Sequence, residues 1–188
     1  MRSALLITVA LLSLSACNSS PDVSATNATP AEVQAKVDAA AAKGGGVMVN
    51  PGRWEGVVSV NELDIPSMPP EAKEQMKAQM GGKQTFVSCV TEEDVKQQKA
   101  FFTGNPADKS CKYDHFSMSG GKVSGVLKCD RAGQGRMTMT MNGDYSPDSY
   151  SMAMDSKAEG DGPMGKMTMK MTVDAKRVGA CRGDEKKS

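Results

Sequence analysis

Leucine and isoleucine nearly vanish from this chain after Cys17: Leu63, Leu127 and Ile65 are the only ones. Aromatic residues make up 4% of the 188, and His115 is the single histidine. These gaps decide what the interior is made of. The chain holds 15 methionines, so a core is left to thioethers, valines and a few rings, which pack adaptably but specify geometry weakly. An excess of one charge is missing too. Once Arg2 is set aside, Lys+Arg falls from 23 to 22 and equals the 22 Asp+Glu, a balance that excludes a broad electrostatic footprint for nucleic acid and leaves only local patches. No Gly-rich phosphate loop, haem-attachment pair or zinc-protease helix occurs.

The apolar run Ala4 to Leu12 is too short to span a bilayer, follows Met1-Arg2, and ends at Leu14-Ser15-Ala16-Cys17. A small-small-Cys end followed by polar sequence has the shape of a bacterial lipoprotein signal. Residues 1–16 are expected to be removed and Cys17 to carry a diacylglyceryl thioether and an N-acyl chain. Each buried CH₂ contributes roughly 0.8 kcal/mol, so several chains make attachment effectively permanent without a membrane helix. Asn18 follows the cysteine; resemblance to Gram-negative lipoproteins implies that a residue other than Asp there permits transfer to the outer membrane. The expected address is its periplasmic face, with the membrane itself as the partner through the anchor.

Beyond Cys17 the chain is the size of one domain and a tether. Asn18 to Ala28 has almost no bulky apolar residue and reads as flexible. Thr29-Pro30-Ala31-Glu32 predicts a helix start, with Thr29 as N-cap and Glu32 closing a capping box, running to about Lys43 and ending at Gly44-Gly45-Gly46. Its Ala/Val face predicts weak docking. Residues 17–46 are therefore taken as a lipidated tether with a weak helix, 47–182 as a four-cysteine β domain, and 183–188 as a charged tail. Short helices are expected at Glu71 to Met80 and after Thr91, and strands at Trp54 to Val60 and Lys83 to Val90. From 109 to 175 turn signals separate further strands. Met137-Thr138-Met139-Thr140-Met141 and Met167-Thr168-Met169-Lys170-Met171 alternate with period two, which puts each set of methionines on one face of a half-buried antiparallel strand. The fold class expected is mainly β: a twisted antiparallel meander of about seven strands with short helices near its start.

An oxidising compartment and four remaining cysteines, Cys89, Cys111, Cys129 and Cys181, predict two disulfides; no pair has zinc-ligand spacing. Three connectivities are open. A two-residue Gly120-Gly121 turn would set Cys111 opposite Asp130, whereas a three-residue turn with Gly121 as a bulge would set it opposite Cys129. The second register is favoured, leaving Cys89 to join Cys181.

Chemistry is sparse. Thioethers bind Cu(I), and Met137, Met139, Met141, Met167, Met169 and Met171 could gather three sulfurs if their strands are adjacent; alternating methionine is also what a leucine-poor core requires. The core reading is preferred, with a reversible oxidant sink as a further alternative. A curved, Met-lined face could also hold a small apolar molecule or lipid chain. His115 beside Asp114 lacks a paired nucleophile and reads as a surface residue. Trp54 reads as a core anchor rather than a binding rim, and Arg182-Gly183-Asp184 as a coincidental adhesion tripeptide. No cofactor, catalytic residue or protein partner is indicated.

Pro51-Gly52-Arg53-Trp54-Glu55, Cys89-Val90-Thr91 with Glu93, single cysteines at 111 and 129, and Gly179-Ala180-Cys181 together resemble the proteobacterial domain of unknown function 3617 family. The likeness covers roughly 47 to 182. It implies a small exported protein, often a lipoprotein, with no assigned activity and no catalytic residues to carry over.

Overall fold

The computed structural model describes residues 22–43, 49–80, 82–96, 109–132, 135–160 and 165–187. Cys17 and the leader, the Gly44 to Gly46 stop and residues 161–164 lie outside them. In chain order the elements are β1 (Val23–Ala28), α1 (Pro30–Ala42), β2 (Gly52–Asp64), α2 (Pro70–Met80), β3 (Gly82–Val90), α3 (Glu92–Lys96), β4 (Cys111–Ser119), β5 (Lys122–Arg131), β6 (Gly135–Ser146), β7 (Ser149–Glu159), β8 (Lys166–Gly179) and β9 (Lys186–Lys187). All nine strands form one sheet in the order β1-β4-β5-β6-β7-β8-β2-β3-β9, antiparallel throughout except where β9 lies parallel to β3. The mainly antiparallel β class is as expected; two strands join it that the sequence did not announce. Val23–Ala28, read as tether, pairs with β4, and Lys186–Lys187 of the charged tail pairs with β3.

Capping chemistry sets the helix starts. Thr29 Oγ1 accepts from the Glu32 N–H at 3.2 Å while Glu32 Oε2 accepts from the Thr29 N–H at 2.7 Å, and Thr91 and Asp94 repeat this reciprocal pattern at α3. The docking of α1 departs from expectation. Val33 and Val37 are fully buried against Val23 and Ala25 of β1 and Tyr113, Phe116 and Met118 of β4. Two valines one turn apart, i and i+4, give even an alanine helix a narrow apolar seam.

The β4–β5 hairpin reaches the favoured register by another route. Ser119 pairs with Lys122, so the turn has two residues, Gly120 and Gly121, both at positive φ (57° and 76°) as a primed turn requires. The extra residue sits further along: the ladder slips between Tyr113 and His115, leaving Asp114 as a bulge and bringing Cys111 opposite Cys129. Across the next ladder Asn27, at φ 51°, faces this bulge, a left-handed conformation that asparagine tolerates. Disulfides join Cys111 to Cys129 and Cys89 to Cys181. Among the described residues no helix is long and apolar enough to cross a membrane.

Candidate functional site

Residues directly opposite in a ladder share a face, so the registers map the methionines. Met141, Met154 and Met171 form one row across β6, β7 and β8; Leu127, Met139, Ser156, Met169 and Leu63 form the next; Cys129, Met137, Ala158 and Met167 the one beyond. The six expected methionines do share one face. Their strands are not adjacent, however: β7 separates β6 from β8 and supplies Met152 and Met154. Those two were missed because Met152-Ala153-Met154 shows the alternation over a single repeat, too short to stand out from background.

Burial divides this face. One cluster, under α1, takes in Met118, Leu127, Met141 and Met152, with Met137, Met139 and Met154 packed at its border. A second holds Val49, Trp54, Val90, Val95 and Ala175, with Phe86 and Tyr150 at its margin. Met167, Met169 and Met171 of β8, with Val58, Val60 and Leu63 of β2, belong to neither cluster and are only half-buried. Tyr150 packs against both clusters, and this apolar strip lies outside them.

The residues carrying the family likeness build structure. Gly52 leaves room for the Gly179 carbonyl, against which a Cβ would collide. Trp54 is 1% exposed, donates its indole N–H to the Asn50 carbonyl at 3.1 Å and lies 5.6 Å from the Tyr150 ring, a core anchor as its sequence context suggests. Arg53 reaches Glu55 at 3.1 Å and Asp184 and Glu185 at 2.9 Å; these contacts, led by Glu55 and Glu185, hold its guanidinium above its ordinary range. The family profile for proteins of unknown function designated DUF3617 matches residues 49–181. The chain belongs to the DUF3617 family. No curated protein and no solved structure matches it significantly. The DUF3617 profile begins after β1 and α1, so the strand and helix that cover the β4 edge lie outside it.

Around Arg53 the C-terminal segment folds into a small acidic closure. Glu185 has a fully buried side chain and accepts from the Arg182 and Gly183 N–H groups at 2.8 Å. Burial pushes its carboxyl up, but the N–H groups of Arg182, Glu185 and Gly183 and the Arg53 guanidinium prevail and hold it at about 2. Arg182-Gly183-Asp184 is therefore part of a structural clasp. His115 is half exposed beside Asp114, whose carboxyl is lowered chiefly by Lys128 at 2.8 Å. Among the described residues no group of three His, Cys, Asp or Glu could hold a metal ion.

Proposed function

We propose that this DUF3617 protein is a non-catalytic module of the cell envelope, anchored through lipids on Cys17 at the periplasmic face of the outer membrane, that carries a small apolar ligand. The observation carrying this reading is the half-buried strip of Met167, Met169, Met171, Val58, Val60 and Leu63, which belongs to neither packed cluster. Polarizable thioethers repack around varied shapes, which suits an acyl chain better than a rigid polar substrate. The two disulfides agree with an oxidising compartment.

Two measurements test the parts separately. Inhibiting lipoprotein signal peptidase should leave an unprocessed precursor, and a mature form without lipid would defeat the anchor. For the carrier, an environment-sensitive apolar dye should bind the full chain, be displaced by a fatty acid, and lose affinity at least tenfold in Met171→Lys. Unchanged dye binding in that variant would remove the strip as the site.

A second reading is favoured by one specific arrangement. Met141, Met154 and Met171 stand directly opposite one another on three neighbouring strands spaced about 4.8 Å apart, so their thioethers can lean toward the middle strand as a soft Cu(I) donor set. Stoichiometric Cu(I) binding under a competing chelator, lost in Met154→Leu, would select it over the apolar carrier.

A further inference from the structure

On the face opposite the methionines, charges alternate from strand to strand. Asp130, Arg136, Glu159 and Lys166 stand in one row across β5 to β8, and Asp155, Lys170 and Glu62 in another across β7, β8 and β2. The row between them breaks the pattern: Lys112, Lys128, Thr138, Lys157 and Thr168 follow one another, and its first acid is Asp64 of β2, which already holds Lys73 at 3.5 Å. Like charges directly opposite weaken a ladder, and Lys112 faces Lys128 across β4 and β5. Two flanking rows show that this fold accommodates acids at such positions. A local rule broken without structural gain marks a place where another requirement acts.

Asp114, the bulge residue, reaches Lys128 at 2.8 Å and neutralises it. Lys112 and Lys157 are exposed and make no ion pair among the described residues, and the same holds for Lys109 and Arg136. Glu32 of α1 senses Lys112 electrostatically, but its carboxylate is taken up by Thr29. These cations border an open groove of about 810 Å³ in which five basic residues meet Asp114, Asp130 and Glu159. Lys112 on β4 and Lys157 on β7 are three strand spacings apart, so with strands about 4.8 Å apart their backbones stand roughly 14 Å from one another. The Thr138 hydroxyl lies in the row between them and can donate to an anionic oxygen.

We propose that this groove binds a polyanion carrying at least two phosphate groups spaced to meet Lys112 and Lys157. Lysine ammoniums act there as point charges, and the groove offers no wall to enclose a single small ion. The proposal rests on the ladder registers and is independent of the apolar strip on the other face.

The test uses the detergent-solubilised full chain and two probes, a medium-chain inorganic polyphosphate and phosphatidylglycerol vesicles. Calorimetry with polyphosphate should show binding that weakens with added salt, falls at least tenfold in the double variant Lys112→Gln/Lys157→Gln, survives in Lys112→Arg/Lys157→Arg, and is unchanged in Lys176→Gln. Removing like charges should leave Tm at or above its starting value, and the arginine variant keeps the test valid even if it does not. Groove-dependent co-sedimentation with vesicles would assign the phosphates to lipid headgroups, and binding of polyphosphate alone to a soluble ligand. No binding of either probe, or equal binding by the glutamine variant, would overturn the proposal.

Discussion

Met141 and Met169 share one sheet face and the same alternating context, yet their environments differ. Met141 is 3% exposed within the cluster under α1, whereas Met169 lies half-buried in the strip. Met141→Ala should cost about 2–5 kcal/mol and Met141→Leu under about 1.5 kcal/mol in urea unfolding; Met169→Ala should cost distinctly less than Met141→Ala, and equal losses would mean that the strip is packed. Glu185 provides a pH test. Its carboxyl moves from an ordinary 4.5 to about 2, because the N–H groups of Arg182, Glu185 and Gly183 and the Arg53 guanidinium overcome burial. A pKa depressed on folding contributes stability above the unfolded value and loses it as pH falls through the folded one. Glu185→Gln should therefore be less stable than the parent at pH 7, with the difference narrowing between pH 4.5 and about 2; a gap as large at pH 2 as at pH 7 would assign the effect to packing.

Among the elements, the β4–β5 hairpin lends itself to a deletion experiment. Asp114 is the surplus residue, so its removal should straighten the strand and leave Cys111 opposite Cys129, whereas removing Lys112 should set Ser110 opposite Cys129 and abolish that disulfide in non-reducing peptide maps. The bulge was legible in principle. Cys111, Tyr113, Phe116 and Met118 are all buried, and the gap of two between Tyr113 and Phe116 marks the place where the alternation changes phase. Sequence reasoning placed the irregularity at the turn instead, since glycine pairs signal turns more strongly than a phase change signals a bulge. Local chemistry was readable wherever it is self-contained, as in the Thr29 and Glu32 capping box and the Met/Thr alternation. The edge strand β1 was not. Val23 and Thr26 are the only β-branched residues from Val23 to Ala28, and the segment's strand conformation comes from pairing with β4, a partner about ninety residues away. The Arg53 clasp was hidden for the same reason, because it joins residues at opposite ends of the domain.

At the scale of the whole molecule, the first and last strands close the two edges of the sheet, and the N-terminal one carries much of the packing. A chain beginning at Val49 would keep the family-matched segment yet expose Tyr113, Phe116 and Met118 along an unpaired β4 edge. Burying each of Val33 and Val37 contributes roughly 1.5–3 kcal/mol. Such a truncation should unfold at lower urea and elute as oligomers on size exclusion; a stable monomer would show that β1 and α1 are dispensable. Where β1 begins has a mechanical corollary for the proposed anchoring. Val23 lies beside Met118, near the β4–β5 turn, and the strand then runs away toward Cys111. Between Cys17 and Val23 the chain can stretch at most about 20 Å. If Cys17 carries the proposed anchor, the molecule would be moored on a short line by one corner of its sheet. So held, it would not sweep across the envelope, and a partner would have to come to the bilayer surface. The lysine row would then lie toward the end of the sheet away from that mooring.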